Sequence, residues 1–376
     1  MEKMKIYNYD ELLEEIKKVT LKDGFKKGEV IVTDSLIEIP YYTYGNGNNH
    51  IVLVGGTHGS EIISVNLVLD IMKHINLIDK NDFTIHFIPV LNPEGYIIST
   101  STVLSKIDGN NSKDIEKFSY EYYLNYKYDC THNKSVKKHQ LMFSDINYNC
   151  ITYEVLKNKV KSIYDKYSFP DGSMVIWRSN GSGIDLNREH PLMELSFDNI
   201  TYGSDNLRYN NIRFNTPGPL GIYKNKVESV ENRFLFDLIC KLYNENKYAG
   251  TMIYHSTGGS IYYEPNIKCE HYEEYKKINY ELAKKYSLKT KYKCQNGLIK
   301  DGYKLENNKD VNSNDEYLRI MYPAVLLIEL SYMGGNPLGP FGDEVNNYKP
   351  TIKYNRLAFI DFIKECKKIK DSTRKN

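Results

Sequence analysis

Residues 51–61, with the sequence IVLVGGTHGSE, decide the fold expected for this chain. The stretch opens with four apolar residues, mostly β-branched, which is typical of a strand buried on both faces. Two glycines end the strand, and residues 61–75 follow with apolar side chains on one helical stripe. Residues 83–90 are predicted to form the next strand. The order strand, helix, strand predicts a parallel sheet covered by helices.

Three apolar runs end in a side chain that can bind a metal ion or carry a proton. The first run delivers His58 and Glu61, the run MIYHSTGG delivers His255, and the run AVLLIELSYMGG delivers Glu329. In a parallel sheet, ligands bind beyond the carboxyl ends of the strands. We therefore expect these four side chains to meet at one edge of the sheet.

The side chains at the strand ends suit zinc. Two imidazoles and one carboxylate, with a fourth position open, form the ligand set of a catalytic zinc site. Glu61 follows His58 by three residues where a helix begins, so both can point the same way. The alternative is that Glu61 caps the first turn of its helix while His58 is hydrogen-bonded in a loop. Glu329 ends a buried strand, where a carboxylate needs a partner, and this favours a functional role.

Composition argues against several classes of protein. Of the 376 residues, 41% are hydrophobic and 26% charged, and the net charge is +2, so we expect a globular protein that binds neither nucleic acid nor an anionic membrane. The sequence has no apolar run of about 18 residues and no apolar signal segment, which predicts no membrane span and a cytoplasmic location. It also lacks the G-x-S-x-G, Walker A and H-E-x-x-H motifs.

We predict one domain, residues 1–376, with three α/β/α layers and a mixed, mostly parallel central sheet. Residues 99–170 are polar and rich in Lys and Tyr. They contain two predicted helices, 114–128 and 153–167, and we interpret them as a helical insertion within the domain. Residues 92–96, NPEGY, are predicted to form a turn.

Five motifs follow one another along the chain. They are GGTHGSE (55–61), NPEGY (92–96), GIDLNREHP (183–191), YHSTGGSIYY (254–263) and LLIEL (326–330). In this order they resemble the zinc carboxypeptidase family of the carboxypeptidase A type, from about residue 40 to 345. HSTGGSIYY and the segment after LIEL are most similar to the branch that trims bacterial cell-wall peptides.

The resemblance implies a role for each residue at the strand ends. His58, Glu61 and His255 would bind one zinc ion per chain. Glu329 would activate the zinc-bound water and later protonate the leaving amine. The implied activity is that of a metallocarboxypeptidase acting on a peptide or peptide-like substrate.

The resemblance also implies residues that hold the substrate. Asn187 and Arg188 would bind its terminal carboxylate, because Arg offers a bidentate fork. Members of the family often place a second Arg before this motif to stabilise the oxyanion, and Arg178 is the candidate here. A tyrosine that covers the substrate is also expected, and Tyr303 and Tyr317 both qualify.

Other polar residues receive structural interpretations. Asp185 is expected to orient its loop, Asn92 and Glu94 to lie in a turn, and His190 and His271 to lie at the surface.

Two other functions stay open. The first is a zinc-dependent deacylase of N-acyl amino acids, similar to aspartoacylase, which shares GGTHG-x-E and DLNR-like motifs. The second is a non-catalytic, peptide-binding relative. The specificity pocket is expected within residues 300–319, and the sequence does not identify the preferred side chain.

Overall fold

The computed structural model describes residues 4–119, 148–167, 173–190, 217–219, 221, 229–265, 270–295, 313–331 and 343–373. The strands in these ranges are β1 (Phe25–Lys27), β2 (Ile31–Val32), β3 (Glu38–Ile39), β4 (Tyr42–Gly45), β5 (Asn49–Val54), β6 (Phe83–Ile88), β7 (Tyr248–Ser256), β8 (Ser260–Tyr262), β9 (Lys293–Gln295) and β10 (Val325–Leu330). The α-helices whose bounds are defined are α1 (Tyr9–Thr20), α2 (Ile62–Lys73), α3 (Pro93–Leu104), α4 (Glu154–Lys166), α5 (Val230–Asn244), α6 (Tyr272–Thr290), α7 (Asn314–Met321) and α8 (Lys349–Thr373).

Most of these strands form one mixed sheet in the order β1-β4-β6-β5-β7-β10-β8-β9. The central strands β6, β5, β7 and β10 run parallel to one another. At the sides, β4 pairs antiparallel with β6, and β8 pairs antiparallel with β10. The short strands β2 and β3 form a separate antiparallel ladder. The predicted mixed, mostly parallel sheet is confirmed.

Helices cover both faces of the sheet because its central strands are apolar on both sides. In β5, Ile51 and Leu53 belong to a large hydrophobic cluster with α1, α2, α3, α6 and α8. Val52 and Val54 belong to a second cluster with α5 and α7. All four side chains are fully buried, as expected for a strand covered on both faces. The predicted α/β/α layers are therefore confirmed.

The prediction of a turn at residues 92–96 is wrong, because a helix begins there. Asn92 is the N-cap of α3, and its Oδ1 accepts a hydrogen bond from Gly95 N at 2.8 Å. Pro93 occupies the first turn, where its fixed φ suits the helix and its missing N–H costs no hydrogen bond. An N-cap followed by proline is itself a helix-start signal that the sequence contained.

The predicted insertion at residues 99–170 begins inside α3. Helical backbone recurs at residues 112–119, and the helix predicted at 153–167 is α4, which buries three apolar side chains. The remainder of the helix predicted at 114–128 lies outside the described residues. The interpretation as one domain with an insertion stays a prediction.

The C-terminal helix α8 is amphipathic and packs against α6, α2 and β7. Its buried side includes Phe359, Phe362 and Cys366, and lysines lie on its exposed side. No helix in the described ranges, α8 included, combines the length and the apolar character needed to cross a bilayer.

A buried histidine relay lies in the sheet away from the candidate site. Tyr41 Oη lies 2.7 Å from His86 Nδ1, and His86 Nε2 lies 2.8 Å from His50 Nδ1. Burial, with smaller contributions from His50 and Lys241, lowers the pKa of His86 from 6.5 to about 3. His86 is therefore neutral at pH 7, with one ring nitrogen facing Tyr41 and the other facing His50.

His86 should make folding stability depend on pH. Below pH 6.5 His86 binds a proton in the unfolded chain but not in the folded chain. The contribution of neutral His86 to the free energy of unfolding is therefore complete above pH 6.5 and is lost as the pH falls towards 3. We expect the wild type to lose about 1–2 kcal/mol more than a His86→Gln variant between pH 7.5 and 5. Urea unfolding of both proteins in chelator measures this difference. Parallel losses in the two proteins would contradict the assignment.

Candidate active site

The parallel strands β5, β7 and β10 end at the same edge of the sheet and carry the candidate residues there. The register pairs Glu329 of β10 with His255 of β7, and Ile253 of β7 with Val54, the last residue of β5. His58 lies in the loop that follows β5. The sheet therefore brings together side chains that are far apart in the sequence, as predicted.

The loop that carries His58 and Glu61 packs tightly against the start of α3. A Cβ atom on Gly59 would lie 2.0 Å from the carbonyl carbon of Gly95, so only glycine fits between the two candidate ligands. Asn92 Nδ2 donates to Thr57 O at 3.2 Å and holds the same loop. The helix start at residue 93 thus fixes the loop that presents the site.

His58, Glu61 and His255 form a buried cluster. Glu61 Oε1 lies 2.7 Å from His58 Nδ1, and Glu61 Oε2 lies 2.9 Å from His255 Nδ1. The two Nδ1 atoms are 3.1 Å apart. Glu61 occupies the N-cap position of α2, but its side chain makes no capping hydrogen bond. The alternative interpretation of Glu61 as a helix cap is therefore wrong.

The cluster is buried, and the charged groups around it shift the pKa values of its members. Burial acts against ionisation of Glu61, but His58 and His255 outweigh it and hold the pKa of Glu61 well below its usual range. Burial and Arg178 act against protonation of His58, but Glu61 and Asp185 leave the pKa of His58 above its usual value. The cluster therefore contains a carboxylate that stays ionised at neutral pH.

The three side chains fit a metal ion. Their ligand atoms all lie within 4.8 Å of one another. Both Nδ1 atoms lie within hydrogen-bond distance of Glu61, and if both carry the proton that donates to it, the two N–H groups crowd each other at 3.1 Å. A cation bound by both nitrogens and by Glu61 removes that conflict. Two histidines and one carboxylate are also the donor set of a catalytic zinc site.

Two residues contact the far side of the His58 ring. Asp185 Oδ1 lies 3.1 Å from His58 Nε2 and also accepts from Asn187 N at 2.9 Å. A carboxylate in this position fixes the tautomer and orientation of a ligating histidine. Arg178 Nη2 also lies 3.1 Å from His58 Nε2. The sequence predicted only a loop-orienting role for Asp185, and its contact with His58 was missed.

Glu329 lies beside this cluster on β10. Its Oε2 atom is buried and has no hydrogen-bond partner among the described residues. Desolvation, reinforced by the charge of Glu61, raises the pKa of Glu329 to about 7. A carboxyl group with such a pKa can both accept and release a proton near neutral pH.

The turn that follows Asp185 places Asn187 and Arg188 near the cluster. Asn187 Oδ1 accepts from Asn314 N of α7 at 3.1 Å, and Arg188 Nη1 donates to Asn187 O at 2.8 Å. Burial opposes ionisation of Asp185, but His58, with Arg178 and Arg188, holds the pKa of Asp185 well below its usual range. Both arginines are therefore close enough to act on the Asp185 carboxylate.

A buried polar network joins this turn to α5 and α7. Asn232 Nδ2 donates to Leu186 O at 3.0 Å and to Glu189 Oε2 at 2.8 Å. Asn314 Nδ2 donates to Asn232 Oδ1 at 2.8 Å. Glu189, Asn232 and Asn314 thus position the turn, and sequence reasoning missed all three. No local pattern could have identified them, because their partners lie on other elements.

Glu94 anchors the neighbouring loop that carries Arg178. Its carboxylate accepts from Thr33 Oγ1 at 2.7 Å, from Ser35 N at 2.9 Å and from Gly181 N at 2.7 Å. The residue is 1% exposed. Its interpretation as a turn residue is wrong, since it joins the β2–β3 ladder to a loop of the candidate site.

The remaining predictions have different outcomes. His190 was expected at the surface, but it is buried and stacks on Tyr317 with ring centroids 5.7 Å apart. His271 is exposed, as predicted. Tyr317 also packs on Phe236 at 5.1 Å, in the layer between α5 and α7. Tyr303 lies outside the described residues, so the identity of the substrate-covering tyrosine stays open.

The family comparison concerns most of the chain. The sequence profile described as zinc carboxypeptidase matches residues 27–325. This range contains His58, Glu61 and His255, and it ends shortly before Glu329. No curated protein sequence matches the chain.

Solved carboxypeptidase structures share the fold at low identity. Carboxypeptidase A from Helicoverpa armigera has a TM-score of 0.57 and 14% identity, over 99% of this chain and 75% of that one. Bovine thrombin-activatable fibrinolysis inhibitor, in complex with a tick carboxypeptidase inhibitor, has a TM-score of 0.56 and 12% identity, over 96% of this chain and 98% of that one. A Pseudomonas aeruginosa metallo-carboxypeptidase, in complex with (2-guanidinoethylmercapto)succinic acid, has a TM-score of 0.51 and 10% identity, over 96% of this chain and 70% of that one. At these low identities, the similarities show a shared fold.

Proposed function

The chain belongs to the zinc carboxypeptidase family, and we propose that it is a zinc-dependent metallocarboxypeptidase that cleaves the peptide or amide bond beside a free carboxylate. The observation that carries the proposal is the buried cluster of His58, Glu61 and His255 with Glu329 beside it. The proposed substrate is a peptide or peptide-like molecule, and the stem peptides of bacterial cell walls are the specific candidates.

His58, Glu61 and His255 are proposed to hold one zinc ion. Zinc bound there would polarise the scissile carbonyl and lower the pKa of a water molecule. Asp185 supports this arrangement because its contact with His58 Nε2 keeps the opposite ring nitrogen directed at Glu61. Burial of the cluster limits the access of other water molecules.

Glu329 is the proposed proton carrier. Its carboxylate would take a proton from the attacking water and then deliver it to the leaving amine. Two features support this role. The pKa of about 7 allows transfer in both directions, and Oε2 is not engaged by another described residue.

Asn187, Arg188 and Arg178 are the proposed substrate-binding groups. Arg188 offers two parallel N–H donors, which match a terminal carboxylate. Asn187 lies in the same turn, which the network around Asn232 holds in place. Arg178, next to His58, would stabilise the negative charge that develops on the carbonyl oxygen.

Cleavage of blocked dipeptides tests the proposal. We expect release of the last residue from an N-blocked dipeptide with a free carboxylate, and much slower release when that carboxylate is amidated. A zinc chelator should abolish the activity, and added zinc should restore it. Liquid chromatography of the products provides the measurement, and a cell-wall stem peptide serves as a second substrate.

Three results would contradict this proposal. Full activity in the presence of a chelator would show that the reaction does not need zinc. Turnover of N-acyl amino acids without cleavage of peptides would assign the chain to the deacylases instead. Stoichiometric zinc without hydrolysis of any peptide would indicate a non-catalytic, peptide-binding relative.

A further inference from the structure

A cleft lies between α2 and the start of α8. Its volume is about 480 Å³, and its lining includes Asp70, His74, Tyr348, Lys349, Lys353 and Arg356. Asp70 and His74 lie towards the C-terminal end of α2, whereas Glu61 precedes its N-terminus. At about 1.5 Å per residue the ends of this helix are roughly 17 Å apart. The cleft is therefore separate from the candidate active site, and its volume suits a small organic ligand.

Three of the side chains that line the cleft are basic. Lys349, Lys353 and Arg356 are spaced three or four residues apart on α8, so they project from one face of that helix. Lys349 pairs with Glu344 at 3.0 Å, and Arg356 pairs with Asp70 at 2.6 Å. Lys353 is exposed and has no ion-pair partner in the ranges the structure describes. The cleft therefore has a positive charge that these carboxylates do not balance.

Arg356 has an N–H donor that makes no hydrogen bond to the described residues. Its Nη1 donates to Asp70 Oδ2 at 2.6 Å and lies 3.1 and 3.3 Å from the ring nitrogens of His74. Its Nε is buried and has no acceptor within the described ranges. A buried donor without an acceptor is unfavourable. Nε is closed to solvent in this side-chain conformation, so an acceptor in the cleft would stabilise it once the guanidinium group turns towards the cleft. The edge formed by Nε and Nη2 matches two oxygens of a phosphate or carboxylate group.

We propose that this cleft binds a small oxyanion, a ligand with a phosphate or carboxylate group, through the Nε–Nη2 edge of Arg356 and the ammonium group of Lys353. Asp70 orients Arg356 and does not contact the ligand, because its own carboxylate would repel an anion. Such a ligand stabilises the folded protein by mass action.

Calorimetric titration of the full chain tests the proposal. Inorganic phosphate and succinate are titrated separately at constant ionic strength, with chloride as the reference salt. Each titration is run with and without a zinc chelator, so that anion binding at the candidate metal centre is recognised. We expect saturable binding of at least one anion in chelator, and a roughly tenfold weaker affinity in Lys353→Ala.

Two further variants complete the test. Arg356→Lys keeps a positive charge beside Asp70 but loses the planar fork, so it should also weaken binding. Lys364→Ala removes the same charge from an exposed position farther along α8, and its affinity should be unchanged. Saturation by phosphate alone assigns a phosphate ligand, and saturation by succinate alone assigns a carboxylate ligand. No saturable binding of either anion, or equal weakening by Lys353→Ala and Lys364→Ala, would overturn the proposal.

Discussion

Replacement of Glu329 with glutamine is expected to lower kcat for an N-blocked dipeptide by about 10²–10⁴-fold, the range for lost general acid–base catalysis. Glutamine has nearly the same shape as glutamate, but it cannot take a proton from water or pass one to an amine. Because Glu329 is not among the three converging ligands, the zinc content should be unchanged. Steady-state kinetics and elemental analysis of the same preparation measure both quantities.

Glu231 offers a matched control for this substitution. It is also buried, and burial, with the charges of Glu94 and Glu189, raises its pKa to about 8. Glu231 is therefore protonated at pH 7, and Glu231→Gln should leave kcat within a few-fold of the wild type. Retention of more than about a tenth of kcat in Glu329→Gln would exclude Glu329 as the proton carrier.

The sheet could be predicted because its signal is local. The run from Ile51 to Val54 is apolar at every position, and only a strand covered on both faces buries all of it. Once parallel strands are assumed, His255 and Glu329 follow at the same edge as His58. Convergence of the site thus follows from the parallel direction of the strands.

Side-chain direction could not be predicted in the same way. A Glu three residues after a His looks the same in sequence whether it caps a helix or binds a metal. What orients Glu61 is His255, on another strand, together with the N–H of Ser256, which donates to Glu61 Oε2 at 3.2 Å. The decisive partners are nearly two hundred residues away, so no window around Glu61 contains them.

Buried polar residues were mispredicted for a related reason. A lone Glu or His next to a proline resembles a surface or turn residue, because burial of such a group requires partners that the local sequence does not show. Glu94 receives its donors from Thr33, Ser35 and Gly181, and His190 is covered by Tyr317. Each error therefore concerns a residue whose partners lie on a different segment of the chain.

Replacement of His255 with alanine is expected to reduce bound zinc from about one ion per chain to a trace and to lower hydrolysis by at least about three orders of magnitude. A catalytic zinc site uses three protein ligands, and the loss of one leaves only His58 and Glu61. The ion contributes several kcal/mol to the transition state, and each 1.36 kcal/mol corresponds to a tenfold change in rate. Elemental analysis after dialysis and peptide cleavage measure the two effects.

Two variants separate ligation from orientation at this site. Asp185→Asn keeps all three ligands but weakens the contact that holds the His58 ring, so zinc affinity should fall by only about 10–100-fold. His271→Ala removes an exposed histidine that precedes α6 and does not belong to the cluster, and it should bind zinc as the wild type does. If His255→Ala retained one zinc per chain, the cluster of His58, Glu61 and His255 would not be the metal site. The order expected for zinc affinity is therefore wild type and His271→Ala first, then Asp185→Asn, then His255→Ala.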